Sequence, residues 1–124
     1  MASRGRGART KGFQFERDIA KAFSDTTGEE FKRGLGQTRG GGADVPDVLP
    51  ACGVLADLIH IECKRQKLCS IKGAMKQAVA DIGEFTKVPI VVTKDDRKET
   101  LVTMKFQDFL PMFNAWLQNQ KRET

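Results

Sequence analysis

The chain has 124 residues, 40% of them hydrophobic, which suits a single domain with one core. No run of about 18 apolar residues occurs, which excludes a transmembrane helix, and the basic start MASRGRGARTK lacks the apolar stretch of a secretory signal. A net charge of +5 and a sequence pI of about 9.3 point to a polyanionic partner.

Residues 1–11 carry Arg4, Arg6, Arg9 and Lys11 among glycines, with too few apolar groups to fold alone. They read as a flexible basic arm, followed by one domain over 12–124. In FQFERDIAKAF, Phe15, Ile19, Ala22 and Phe23 recur at helical spacing, which predicts a helix from Gly12 to Thr26 that Gly28 ends. EEFKRGL predicts a short strand. GQTRGGGADVP predicts a loop, in which Lys32, Arg33 and Arg39 form a second basic cluster around three consecutive glycines. PDVLP predicts a strand, ACGVLA the turn of a hairpin, and DLIHIECKR the return strand.

Ser70 is placed to cap the next helix, along which Ile71, Ala74, Met75, Ala78, Val79, Ile82 and Phe85 make one apolar stripe. VPIVVTK and ETLVTMKF predict two strands around the turn DDRK. The final helix sets Phe109, Leu110, Phe113 and Leu117 on one face, with Met112 and Trp116 at its border. Pro111 fits its first turn if Asp108 caps it. The resulting order, α-β-β-β-α-β-β-α, is an α/β fold: a mixed sheet flanked by helices. Cys52, Cys63 and Cys69 lack metal-ligand spacing and read as free thiols of a reducing cytoplasm.

The chemistry concentrates in DLIHIECKRQ. Glu62 and Lys64 stand two apart, on one face of an otherwise core-like strand. The hairpin brings Asp47 towards Glu62. Two neighbouring carboxylates repel unless a cation lies between them, and a hard cation such as Mg²⁺ needs only one or two protein carboxylates. The Cys63 carbonyl is a further candidate ligand, and Lys64 is placed to orient or deprotonate a water or to neutralise a phosphate oxygen. The same triplet also reads as a structural ion pair. Asp44 rivals Asp47, although a strand starting near Pro46 favours Asp47. Glu16, at the edge of the first helix's stripe, is a third acidic candidate, although its spacing alone favours an ordinary solvated helix glutamate. His60 shares the Glu62 face and reads as structural, and Gln77 lies beside the stripe of its helix.

Glu16, Pro46-Asp47 and Glu62-Cys63-Lys64, in that order around a glycine- and arginine-rich loop, resemble the PD-(D/E)xK nuclease superfamily, and within it the Holliday junction resolvases of archaea and phages. The likeness runs from about Lys11 to Lys94. It implies a restriction-endonuclease-like core and a structure-selective endonuclease that resolves four-way DNA junctions by paired hydrolysis. It further implies Mg²⁺, with Mn²⁺ able to substitute, bound by Asp47, Glu62, the Cys63 carbonyl and, directly or through water, Glu16. Lys64 completes the catalytic set and Gln77 borders it. Arg4, Arg6, Arg9, Lys11, Lys32, Arg33, Arg39 and Arg65 would meet DNA. A homodimer in the host cytoplasm completes the expectation. The run Gly40 to Gly42 departs from relatives that carry a serine-containing loop there. Other nucleases of the same core (nicking, restriction-like or repair enzymes) and a non-catalytic nucleic-acid-binding domain are the alternatives.

Overall fold

The computed structural model describes residues 2–34 and 45–124. Nine elements follow in order: α1 (Ala2–Thr27), β1 (Phe31–Arg33), β2 (Val48–Pro50), α2 (Gly53–Ala56), β3 (Ile59–Gln66), α3 (Ile71–Ile82), β4 (Val88–Asp95), β5 (Thr100–Met104) and α4 (Phe106–Glu123). The strands form one sheet in sequence order, β1-β2-β3-β4-β5. Only β3 and β4 run parallel, as their long α3 crossover requires, and the other pairs are antiparallel. The expected mixed sheet with flanking helices is therefore present.

Alternation along β3 divides the core. Ile61 and Cys63 face α1, where they join Phe15, Ala20, Val48, Ile90 and Val92, with Ile19 and Phe23 packed alongside. On the other face α3 lays Ala74 and Ala78 over Val91. The small alanines bring the α3 backbone close to the sheet, so the face that carries His60, Glu62 and Lys64 lies under a helix. No helix among the described residues is long and apolar enough to cross a membrane.

Several local expectations need correction. Helix α1 begins at Ala2, not near Gly12, so the segment read as a flexible arm continues the helix. Its two alanines, three arginines and lysine are good helix formers, and propagation from an existing helix is far easier than nucleation. Ala20 is buried, whereas Ala22 is exposed. Gly28 does end it, at φ 78°. ACGVLA forms the short helix α2 instead of a tight turn, and β3 starts at Ile59, leaving Leu58 exposed. In α3 the Ser70 hydroxyl caps the Gly73 amide at 3.2 Å as expected, but Val79 is exposed and Phe85 lies beyond the helix.

The C-terminal helix departs furthest. Its N-cap is Lys105, whose carbonyl accepts from the Asp108 and Phe109 amides, so Asp108 lies in the first turn and Pro111 in the helix interior. None of its residues is buried. The apolar stripe predicted on this helix is exposed: Phe109, Leu110, Phe113 and Leu117 each keep 39% or more of their surface open.

Candidate active site

The site forms where β2 meets β3. Val48 pairs with Ile61, which places Asp47 beside Glu62 across the antiparallel ladder. The Asp47 amide donates to the Ile61 carbonyl at 3.0 Å, and its carboxylate accepts the Cys63 amide at 2.9 Å. Backbone and side chain of Asp47 are thus both clamped to β3. Asp44, the rival carboxylate, and Arg39 and Gly40 to Gly42 lie outside the described residues.

Gly34, the residue after β1, supports this clamp. Its amide donates to the Asp47 carbonyl at 2.7 Å. A Cβ added at Gly34 would stand 1.9 Å from the Pro46 carbonyl oxygen, so nothing larger fits without moving the Pro46-Asp47 segment. Gly34→Ala should cost about 1–3 kcal/mol in stability, as overpacking generally does. It should reduce any Asp47-dependent activity by more than this destabilisation accounts for. Denaturant unfolding and activity measured on the same preparation check both, and unchanged values would show that the segment relaxes freely.

Glu62 is buried, with 6% of its surface exposed. Its Oε1 is hydrogen-bonded to His60 Nε2 at 2.7 Å. The Asp81 carboxylate of α3 completes a group in which the ligand atoms of His60, Glu62 and Asp81 all lie within 4.8 Å of one another. Gln77 donates to Asp81 Oδ1 at 2.7 Å, so it reaches the site's border through Asp81. His60 therefore stands against the central carboxylate. Asp81 was not singled out from sequence. Its signal was available: it lies one helical turn after Gln77, and His60 lies two residues before Glu62.

Lys64 forms no salt bridge among the described residues. The Glu62–Lys64 ion pair that the triplet alone permitted is not formed. Instead Lys64 lines a cavity of about 210 Å³ with Gln66, Ser70, Gly73, Ala74 and Gln77. A larger cavity, about 340 Å³, reaches His60 and Asp81 from the α2 side and has Lys32 and Lys87 among its lining.

Glu16 comes from α1. Arg33 Nε lies 3.5 Å from Glu16 Oε1, while the guanidinium stacks 4.2 Å over the Phe13 ring. Arg33, expected at a phosphate, is thus turned towards Glu16. Lys11 is paired with Asp96 at 2.6 Å, and Arg65 Nε is 4.0 Å from the same carboxylate. Arg9 and Lys32 are exposed.

The carboxyl groups share one electrostatic neighbourhood. Burial raises Glu62 to about 9, with further contributions from the Asp47 charge, a hydrogen bond to Asp47, and Asp81. Burial also raises Glu16 to about 7, aided by Asp47 and opposed by Arg33 and Arg17. The Cys63 thiol is pushed up, first by burial and then by Asp47, Glu16 and Glu62. Negative charge is in excess here, and oxygen donors dominate. Both properties fit a hard divalent cation, and His60 widens the donor set towards Mn²⁺.

This excess has a measurable sign. Glu16 and Glu62 bind protons more tightly folded than unfolded. Their contribution to stability is complete below the ordinary value of 4.5 and is lost as pH rises towards about 7 and 9. The metal-free protein should therefore lose stability between pH 5 and 9, and Glu62→Gln or saturating Mg²⁺ should flatten the slope. Unfolding curves in EDTA and in Mg²⁺ across this range test it, and stability that rises with pH in EDTA would contradict it.

A family described as "Phage putative PDDEXK endonuclease" matches residues 7–123, nearly the whole chain. No curated protein and no solved structure gives a match.

Proposed function

Since the chain belongs to this phage PDDEXK endonuclease family, and is thus a nuclease of the PD-(D/E)xK type, we propose that it is a divalent-metal-dependent endonuclease that resolves four-way DNA junctions. The observation that carries the reading is the clamping of Asp47 to β3 beside buried Glu62, with Lys64, two residues on, in no ion pair among the described residues.

In this reading Asp47, Glu62 and the Cys63 carbonyl would hold Mg²⁺, with Glu16 completing the set directly or through water, and the ion would supply Lewis acidity there. Lys64 orients a water for in-line attack on phosphorus and offsets negative charge as the new P–O bond forms and the P–O3′ bond breaks; the water gives up a proton and O3′ takes one up. The products are a 5′-phosphate and a 3′-hydroxyl. Gln77 holds Asp81, and through it the far side of Glu62. Arg4, Arg6, Arg9 and Lys32 meet backbone phosphates. These contacts carry no sequence information directly, so junction shape is read. Two symmetric nicks need two sites, hence a homodimer, working in the cytoplasm of the phage's host.

A panel of linear, nicked, flap and four-way DNAs, with and without Mg²⁺, tests the substrate. Paired nicks confined to the four-way DNA support junction resolution. Preferential cutting of another member assigns the site to that substrate instead. Binding without cutting on every member overturns the nuclease chemistry.

A further inference from the structure

The chain contains a single histidine, and His60 lies within the sheet with 1% of its surface exposed. A polar ring is costly there unless its nitrogens find partners. One partner is Glu62 Oε1, 2.7 Å from His60 Nε2. The backbone imposes this pairing. Residues 60 and 62 point to the same face of β3. That strand is the middle one of the sheet, held by β2 on one side and along its whole length by β4 on the other. Asp81, from α3, closes the group, with its Oδ1 held by the Gln77 amide at 2.7 Å.

A metal-binding Glu62 needs such a partner. The last torsion of a glutamate is broad, so packing of the stem does not fix the plane of the carboxylate. A hard cation depends on that plane, since Mg²⁺ demands near-octahedral oxygen ligands at about 2.0–2.1 Å. We propose that His60 is a positioning residue of the metal site: its Nε2–H donates to Glu62 Oε1, stops rotation of the carboxylate and holds it in the orientation that receives the cation beside Asp47. The direction of the hydrogen bond follows from charge. A carboxylate that ligates a cation is ionised and can only accept, so the hydrogen lies on Nε2. A nitrogen that carries its hydrogen is no metal ligand, so His60 acts on the ion through Glu62. Hydrogen-bond partners of metal ligands typically contribute about 10- to 100-fold in metal affinity or activity.

The inference rests on Glu62 being a metal ligand, as in the proposed reading, and its tests read the ring and the ion without DNA. In the untagged, ¹⁵N-labelled protein every imidazole resonance belongs to His60. With saturating Mg²⁺, Nε2 should carry a hydrogen, and its resonance should move as Mg²⁺ is added. A bare Nε2 in the Mg²⁺-bound protein overturns the proposal. Two substitutions separate donation from packing. His60→Gln sets an amide nitrogen near the place of Nε2 and should keep Mn²⁺ affinity, measured by calorimetry, within about threefold of wild type. His60→Leu fills a similar volume without a donor and should weaken Mn²⁺ binding by the folded protein about 10- to 100-fold. Wild-type affinity in folded His60→Leu overturns the proposal, as does a His60→Gln protein that loses as much as His60→Leu. A wild type that binds no cation removes the metal site and this inference together. A wild type that binds the ion and cuts DNA but fails these arms loses the inference alone.

Discussion

Glu62→Gln and Asp47→Asn are each expected to reduce DNA cutting by about 10³-fold or more, with DNA binding in EDTA nearly unchanged. Metal-ion stabilisation of a developing phosphoryl charge contributes several kcal/mol, and each 1.36 kcal/mol is tenfold in rate. Both substitutions keep shape and remove charge. The asparagine carbonyl at position 47 still accepts the Cys63 amide, which the Asp47 carboxylate now accepts at 2.9 Å. A glutamine at 62 resembles the protonated carboxyl that burial favours without a cation. The fold should therefore survive, and Glu62→Gln should be at least as stable as wild type at neutral pH in EDTA. Single-turnover cutting, filter binding and thermal unfolding separate the three effects. Near-normal turnover in either variant would remove that residue from the metal site.

Lys64→Ala is expected to slow the chemical step by about 10²- to 10⁴-fold, the range of a positioned proton-transfer or charge-stabilising group. Metal affinity should change by no more than about threefold, because an ammonium is not a ligand for a hard cation. The structure motivates the distinction. Lys64 makes no salt bridge among the described residues and lines the cavity beside Gln77, while Glu62 is engaged with His60. A structural lysine would lose stability and leave the rate of the folded fraction intact. Calorimetric titration with Mn²⁺ beside single-turnover rates decides between these, and an equal loss of metal affinity would contradict the assigned role.

The candidate site at the sheet edge was legible because it breaks local rules. A carboxylate and an amine at the end of a core strand conflict with burial, and a Pro-Asp pair at hairpin distance gives that conflict a partner. The hairpin reading placed Asp47 correctly although α2 replaces the expected turn, since only the β2–β3 pairing sets the register. Asp81 escaped notice because an aspartate four residues after a glutamine looks like any solvated helix position. It becomes interesting only when Ala74 and Ala78 draw α3 onto Val91. Helix α4 misled for a different reason. Apolar spacing says that a face is buried, but not whether the same chain or another one covers it. Likewise, glycine-separated arginines read as an arm by composition, while continuity with a stable helix carries α1 back to Ala2.

The most direct test of the central claim is a metal add-back experiment on wild-type protein and end-labelled four-way DNA. Cutting is expected in Mg²⁺, none in EDTA, and full recovery when Mg²⁺ is restored in excess, with 5′-phosphate and 3′-hydroxyl ends at every nick. Cutting that persists undiminished in EDTA, or no cutting of any DNA with Mg²⁺ or Mn²⁺ present, would contradict it.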